Sequence, residues 1–178
     1  MATKTSGSQQ GVTLIEAVLA TTLCAIAVSI AAPSFVGLVA RKRLEGIATQ
    51  LATDLQSVRT EAVARNQPVR VSFHSDASGS CYVIHTGAMA QCTCNGPGGA
   101  VCTGGAEQIR TVHLPAAQQV GLQANAGSIL FDPLHGTSTP TATARVIGPM
   151  GAIHHVVNVM GRVRSCSPEP AIPGYRTC

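Results

Sequence analysis

A long, largely apolar segment near the beginning of the chain constrains its fold more than any other feature. The segment covers residues 12–32, and Glu16 is its only charged residue. A helix of this length spans roughly 30 Å, which matches the hydrocarbon core of a bilayer. Lys4 is the one basic side chain before it, whereas an ordinary secretory signal has a more basic front and a shorter apolar core. The sequence therefore predicts a transmembrane helix over residues 12–32.

Glu16 is the unusual residue of this segment. A carboxylate within a membrane helix is costly and usually marks a functional position. One interpretation is a glutamate tolerated at the membrane surface. The other is cleavage of the chain after Gly11, which would place a new amino group on Val12, one helical turn from Glu16. That amine, or the amine of a neighbouring subunit, could then neutralise the carboxylate.

The residues around this position resemble a known processing signal. Gly11-Val12-Thr13-Leu14-Ile15-Glu16 is similar to the cleavage site of type IV pilins and type II secretion pseudopilins, although that family most often has Phe after the cut. The resemblance implies that a prepilin peptidase removes residues 1–11 and that the new terminus at Val12 is N-methylated. It also implies that Glu16 guides assembly with other pilin subunits. Pro33 lies where many pilins have a helix-bending proline.

The charges after the apolar segment bear on its orientation in the membrane. Arg41, Lys42 and Arg43 follow the segment, and the positive-inside tendency would keep them in the cytoplasm. The processing signal and the many cysteines favour the opposite orientation. We therefore expect a single-pass protein of the bacterial inner membrane, with its C-terminal domain in the periplasm and later assembled into an extracellular pilus.

The apolar pattern continues beyond the membrane segment at helical spacing. Apolar residues recur every three or four positions from residue 34 to about residue 65, and Pro68 ends the pattern. This predicts one long helix whose second half, residues 33–66, is amphipathic and packs on the residues that follow. Charged residues of this half, such as Asp54 and Arg59, fall mostly on its other faces.

Residues 67–178 have the pattern of short β-strands separated by Gly, Pro, Ser and Thr. The predicted strands cover residues 69–74, 81–85, 108–114, 120–123, 128–131, 143–147 and 153–159. A Gly- and Cys-rich loop is expected over residues 86–105. Together with the helix, the pattern predicts an α+β, pilin-like fold in which the long N-terminal helix packs on a small antiparallel sheet or sandwich, without a second domain.

Cysteine is frequent in this part of the chain. The chain has seven cysteines, and Cys24 lies in the apolar segment. The other six are Cys81, Cys92, Cys94, Cys102, Cys166 and Cys178. An even number in a small exported domain indicates disulfides. A bond between Cys166 and Cys178 is the expected pair, because it would hold the last residues on the domain.

The three cysteines of the loop, together with Cys81 in the strand before it, allow two interpretations. Cys92 and Cys94 are too close in sequence to pair with each other, so each is expected to bond to Cys81 or Cys102. The alternative is a zinc site on Cys92, Cys94 and Cys102. The CxxC pairs that usually shape tetrahedral thiolate sites are missing, so we predict disulfides and no metal.

Three further segments narrow the resemblance. Residues 54–66, 131–136 and 161–164 look like the GspH/FimT group of minor pilins and pseudopilins. The element Gly161-Arg162-Val163-Arg164 resembles the Gly-Arg-x-Arg element of FimT-type minor pilins, which is associated with DNA binding in natural transformation. Secretion pseudopilins generally lack this element. The resemblance therefore implies a DNA-binding site at Gly161, Arg162 and Arg164.

The arginines themselves suit this role. Arg162 and Arg164 share a face of an extended chain, about 7 Å apart, and guanidinium groups bind phosphates with two parallel hydrogen bonds. Gly161 permits a tight turn before them, and the expected terminal disulfide would draw Arg176 toward them. With few aromatic residues to stack on bases, double-stranded DNA held by its backbone is the expected ligand. The alternative is that the two arginines protect an edge strand from aggregation.

No pattern typical of an enzyme is found. The sequence has no HExxH motif, nucleophile elbow or phosphate loop, and the adjacent His154 and His155 would face opposite sides of a strand. We therefore expect no catalysis and no cofactor. The hypothesis is a minor type IV pilin that binds extracellular DNA for uptake. The alternatives are a structural or priming minor pilin and a GspH-like pseudopilin of type II secretion, both without DNA binding.

Overall fold

The structure is a computed structural model that describes residues 11–96 and 99–178, without the side chains of residues 31–33. The predicted leader, apart from Gly11, lies outside the described residues. The chain divides into two compact units, one up to Leu38 and the other from Val39 to Cys178.

A single helix, α1 (Leu14–Arg65), begins in the first unit. Thr13 caps its start, because the backbone N–H of Glu16 donates to Thr13 Oγ1 at 3.4 Å and the N–H of Ala17 donates to the Thr13 carbonyl at 3.1 Å. Thr13 and Glu16 have the spacing of a capping box. The carboxylate of Glu16 thus lies in the first turn, where the helix dipole favours a negative charge.

The first part of α1 exposes apolar side chains, among them Leu14 (84% exposed) and Ile30 (73% exposed). Among the described residues, no single unbroken helix is long and apolar enough to cross a membrane. The stretches Leu14–Ile30 and Ser34–Arg65 meet this requirement together, by length and composition, across a break that includes Pro33. Proline lacks the backbone N–H that an unbroken helix needs.

The part of α1 in the second unit buries one face. The buried apolar side chains are Leu44, Ala48, Leu51, Leu55, Val58 and Ala62. Their spacing of three or four residues confirms the predicted amphipathic helix. The helix ends where Asn66 takes the left-handed conformation (φ 50°) and Gln67 N–H donates to the Ala62 carbonyl at 3.2 Å. Pro68 follows this cap and prevents continuation of the helix.

Eleven strands make up the rest of the described second unit. They are β1 (Val69–Asp76), β2 (Gly79–Thr86), β3 (Cys92–Cys94), β4 (Ala100–Cys102), β5 (Gln108–Pro115), β6 (Gly121–Ala124), β7 (Ser128–Phe131), β8 (Ser138–Thr139), β9 (Ala142–Gly148), β10 (Gly151–Val157) and β11 (Val163–Cys166). All strand pairs are antiparallel, with sheet orders β5-β2-β1-β7-β8, β11-β10-β9-β6 and β3-β4. The α+β, pilin-like architecture is as predicted. The sequence did not predict β3, β4, β8 or β11.

Both larger sheets bury one face in a core shared with α1. Val71 and Tyr82 of the first sheet and Val146 and Ile153 of the second belong to this core. On the opposite face of the first sheet, Cys81 is buried and forms a disulfide with Cys94 of the β3–β4 hairpin. The Gly- and Cys-rich segment is therefore a hairpin attached to the sheet rather than an irregular loop.

The six cysteines of this unit form three disulfides. Cys166 bonds to Cys178, as expected from the sequence. Cys92 bonds to Cys102 and Cys94 bonds to Cys81, so each of the two close cysteines has one of the expected partners. All three cysteines of the alternative zinc site are therefore used in disulfides.

Asp54 is an exception to the polar outer face expected for the helix. It is 2% exposed, and the hydroxyl of Tyr82 donates to its Oδ2 at 2.6 Å. A guanidinium nitrogen of Arg110 lies 2.8 Å from its Oδ1. Burial, and then the hydrogen bond to Asp54, raise the pKa of Tyr82, so the hydroxyl keeps its proton and remains a donor. This cluster joins α1 to β2 and β5, a contact that helical periodicity could not reveal.

Candidate functional site

The Gly-Arg-x-Arg segment forms the end of the turn and the start of β11 in the β10–β11 hairpin. Gly161 N–H donates to the Asn158 carbonyl at 2.9 Å, which closes a tight turn. The side-chain Oδ1 of Asn158 accepts from Arg162 N–H at 2.9 Å, and Asn158 N–H donates to the Arg162 carbonyl at 3.1 Å. Asn158 therefore holds the backbone of Arg162 at the start of β11.

Gly161 is buried and has a φ of +69°, a conformation that favours glycine. A Cβ atom at this position would lie 2.7 Å from the carbonyl oxygen of Gly136 and 3.4 Å from Cδ of Arg59. The turn is thus pressed against the β7–β8 loop and against the helix. Glycine is required here both by the backbone conformation and by the available space.

The β7–β8 loop is itself fixed by local hydrogen bonds. Oδ1 of Asp132 accepts from Leu134 N–H at 2.7 Å, and Oδ2 lies 3.2 Å from Nδ1 of His135. These hydrogen bonds, first that from Leu134, lower the pKa of Asp132. Ser138 then links the loop to the hairpin turn, since its N–H donates to the Val159 carbonyl at 2.9 Å. The segment 131–136, which resembles the GspH/FimT group, thus lies in the loop that contacts the β10–β11 turn.

The two arginines of the element are exposed on the outer side of the hairpin. Arg164 pairs with Val156 across β10, whereas Val163 pairs with the buried Val157 and packs against the core. In the described parts of the chain, neither Arg162 nor Arg164 has a carboxylate within 4.0 Å. Both guanidinium groups are therefore available to an anionic ligand.

The arginines line an open groove of about 520 Å³ between α1 and β11. Its lining residues are Gln56, Arg59, Thr60, Gly161, Arg162, Val163 and Arg164. Arg59 is the residue that sequence reasoning missed, because it was counted among the charges on the outer faces of the helix. Only the packing of the hairpin on the helix brings Arg59 next to Gly161.

Arg176 lies in the C-terminal segment that the Cys166–Cys178 disulfide attaches to the domain. Its carbonyl accepts a hydrogen bond of 2.8 Å from Ser167 N–H, and its side chain is exposed. Arg176 is not among the residues that line the groove. The structure therefore brings Arg162 and Arg164 together but does not place Arg176 beside them.

The sequence also contains six histidines and other potential metal ligands. In residues 11–96 and 99–178, no group of three or more His, Cys, Asp or Glu side chains is arranged to hold a metal ion. His154 and His155 face opposite sides of β10, since His155 is 1% exposed and His154 is partly exposed. Nδ1 of His155 shares a hydrogen bond of 2.9 Å with Oγ of Ser165 in β11.

His155 is expected to make the fold sensitive to acid. Burial lowers its pKa from 6.5 to about 4, so between these values the unfolded chain binds a proton that the folded chain does not. Stability from this residue is therefore complete above pH 6.5 and falls as the pH drops toward 4. We expect the free energy of unfolding to fall by about 2 kcal/mol from pH 7.5 to pH 5.0 on this account. Urea unfolding followed by circular dichroism measures the change.

Replacing His155 with glutamine should reduce this pH dependence by about the same amount. The same replacement at His135, whose side chain is 71% exposed, is the comparison, and it should change the pH dependence less than the replacement of the buried His155 does. An equal pH dependence in the wild type and in the His155→Gln variant would contradict this assignment.

Comparison with known proteins identifies the family. The family model of type II transport protein GspH matches residues 48–161, which is more than half of the chain. This chain belongs to the GspH family. The match begins within α1 and includes the β7–β8 loop, the hairpin turn and Gly161. It ends immediately before Arg162, so both arginines of the element lie outside the region matched to the GspH family.

The fold is similar to that of the type IV minor pilin FimU of Pseudomonas aeruginosa, strain PAO1, in two crystal forms. One form has a TM-score of 0.51 and 18% sequence identity, and covers 75% of this chain and 95% of FimU. The other has a TM-score of 0.47 and 16% identity, with 72% and 97% covered. At these identities the likeness shows the fold alone. A search of curated protein sequences finds no match.

The GspH family and the pilin-like fold agree with each other. The chain is a member of the GspH family with a pilin-like fold, and membership of this family implies association with other pilin subunits. The predicted family and fold are thus confirmed. The sites at Gly11, Val12 and Glu16, and the DNA-binding site at Gly161, Arg162, Arg164 and Arg176, stay predictions.

Proposed function

We propose that this chain is a minor type IV pilin that binds double-stranded DNA through its phosphates during natural transformation. The observation that carries the proposal is the pair Arg162 and Arg164, both exposed, without a carboxylate partner among the described residues, on the rim of an open groove. Their resemblance to the Gly-Arg-x-Arg element of FimT-type minor pilins supports the same role.

Phosphate contacts of this kind determine what the binding should look like. Guanidinium groups form charge-assisted hydrogen bonds with phosphate oxygens, and these contacts read no base sequence. Each contact releases a counterion, so the affinity should fall steeply as salt rises. A few arginines give weak binding to one subunit, and several subunits in one pilus would raise the overall affinity.

The membrane part of the proposal concerns the N-terminal region. We propose that prepilin peptidase cuts after Gly11, that Val12 is the mature terminus, and that residues 12–32 anchor the subunit in the inner membrane. The exposed apolar surface of the first helical stretch supports this anchor. Residues 33–66 and 67–178 would then lie in the periplasm, and Glu16, already in the first turn of α1, would guide assembly.

A second candidate function follows from the printed description of the family. A pseudopilin of type II secretion, or a purely structural minor pilin, would need no DNA contact. The match to the type II transport protein GspH favours the first of these. A deletion strain and a strain with the Arg162→Gln/Arg164→Gln variant separate the candidates. A secretion defect in the deletion strain indicates the pseudopilin. If the deletion strain loses piliation, normal DNA uptake by the variant strain indicates the structural pilin, and lost DNA uptake by the variant strain supports our proposal.

The direct test replaces both arginines with glutamine. We expect Arg162→Gln/Arg164→Gln to weaken binding of a fluorescent 30-base-pair duplex about 10- to 50-fold at low salt, because two phosphate contacts are lost. Fluorescence anisotropy measures the affinity, with the full chain purified in non-ionic detergent under oxidising conditions.

The control for this test removes the same charge elsewhere. Lys42 and Arg43 are exposed on α1 and do not line the groove. The Lys42→Gln/Arg43→Gln variant should change the affinity less than threefold, as expected for a long-range charge effect. Equal losses in the two double variants, or no binding by the wild type at low salt, would contradict the proposal.

A further inference from the structure

We infer that Arg59 is a third phosphate-binding residue, and that the DNA backbone lies in the groove between α1 and β11. This inference rests on the proposed function and specifies its site. It assigns a role to a helix residue that the Gly-Arg-x-Arg element does not contain. The groove has walls from two elements that are distant in sequence, with Arg59 on one wall and Arg162 and Arg164 on the other.

The position of Arg59 is set by two glycines. Its Nε lies 2.6 Å from the place that a Cβ atom of Gly136 would occupy, and its Cδ lies 3.4 Å from that of Gly161. The side chain of Arg59 therefore extends across two positions that have no side chains. The missing side chains at these two positions leave room for Arg59 beside the hairpin turn, where its guanidinium group faces the groove that Arg162 and Arg164 line.

The acidic residues of this part of the helix are already paired with other side chains. Glu61 binds Arg65 at 2.6 Å, and Asp54 binds Arg110 at 2.8 Å. In the described residues Arg59 has no carboxylate within 4.0 Å, so its charge is not neutralised within the protein. An uncompensated, positioned guanidinium group on an open groove is suited to an anion.

The remaining helical side chains of the groove are neutral and polar. Gln56 and Thr60 lie on the helix on either side of Arg59, and both are exposed. Their amide and hydroxyl groups can donate to phosphate or sugar oxygens without reading a base. The groove therefore combines three positive charges with neutral hydrogen-bond donors, which matches the chemistry of a phosphodiester backbone.

Two single replacements on the helix test the inference. Arg59→Gln should weaken binding of the 30-base-pair duplex about 5- to 10-fold and reduce the slope of log Kd against log salt by about 0.9. Gln56→Glu keeps the shape of the side chain but places a negative charge in the groove. It should weaken binding about 3- to 5-fold, because a carboxylate repels the phosphates.

Each replacement has a matched control on the same helix. Arg43→Gln removes one positive charge and Gln50→Glu adds one negative charge at exposed positions outside the groove. Both controls should change the affinity less than twofold. Because the side chain of Arg59 packs on Gly136 and Gly161, circular dichroism must show that the Arg59 variant is folded. If that variant does not fold, the comparison of Gln56→Glu with Gln50→Glu decides the question.

The outcomes separate the inference from the proposed function. Losses specific to the groove variants support the inference. If Arg162→Gln/Arg164→Gln loses binding while the groove variants behave like their controls, the role of Arg59 is wrong and the proposed function stands. If the wild type binds no duplex at low salt, both the role of Arg59 and the proposed function are wrong.

Discussion

Replacement of Gly161 with alanine should lower the free energy of unfolding by about 2 to 4 kcal/mol. Two physical effects contribute. A residue with a Cβ atom pays roughly 1 kcal/mol or more at a positive φ, which is +69° here. The new Cβ would also lie 2.7 Å from the backbone carbonyl oxygen of Gly136, and overpacking of this kind costs about 1 to 3 kcal/mol.

A control separates the two effects. Gly105 also has a positive φ (+79°), but a Cβ atom at that position would meet nothing within 4 Å. Gly105→Ala should therefore cost only the backbone term, about 1 kcal/mol. Urea unfolding of both variants in detergent, followed by circular dichroism, gives the comparison. Equal losses of stability at the two positions would show that the contact with Gly136 is unimportant.

Gly161→Ala should also weaken the proposed DNA binding. The clash with Gly136 can be relieved by separating the hairpin turn from the β7–β8 loop, and we expect the backbone of Arg162 to move with that turn. The adjacent Cδ of Arg59, 3.4 Å from the new atom, must shift as well. A variant that is folded but binds DNA more weakly would link the glycine of the element to the placement of its arginines.

Replacement of Asp54 with alanine should cost about 2 to 3 kcal/mol of stability, mainly because it leaves a buried hydroxyl group without a hydrogen-bond acceptor. The carboxylate is 2% exposed and accepts from Tyr82 while pairing with Arg110. Without it, the buried hydroxyl of Tyr82 loses its acceptor. Arg110, whose side chain is 50% exposed, can turn to solvent and limits the loss.

Two conservative variants locate the energy within this cluster. Asp54→Asn keeps an acceptor for Tyr82 but loses the charge, and Tyr82→Phe removes only the hydroxyl. We expect each to cost about 1 to 2 kcal/mol, which is typical of a single buried hydrogen bond. Urea unfolding at pH 7.5 measures all three variants. If Asp54→Ala is no less stable than Tyr82→Phe, the carboxylate does not hold the helix on the sheet.

The elements predicted correctly are those with local signals. The amphipathic half of α1 follows from apolar residues every three or four positions, and its end follows from Pro68. The strand β7 was predicted with its observed bounds, because Ile129, Leu130 and Phe131 are apolar and the strand lies between turn-forming residues. These features depend on neighbours within a few positions, which is the range over which sequence patterns are informative.

The elements that were missed depend on contacts at longer range. β3 and β4 are only three residues each, contain three cysteines between them, and are held together by the Cys92–Cys102 disulfide rather than by apolar periodicity. The strand β11 (Val163–Cys166) contains two polar exposed residues, so it has no buried apolar face to recognise. Its strand conformation comes from pairing with β10.

The sequence by itself determined the long helix, the β-rich domain, the disulfide chemistry and the candidate arginines Arg162 and Arg164. Only the tertiary structure decided that Arg59 joins them and that Arg176 does not line the groove. The physical reason is that local patterns fix which face of an element is apolar, whereas the meeting of distant side chains depends on how those faces pack. Here Gly136 and Gly161, which have no side chains, let the helix and the hairpin come close enough to form one groove.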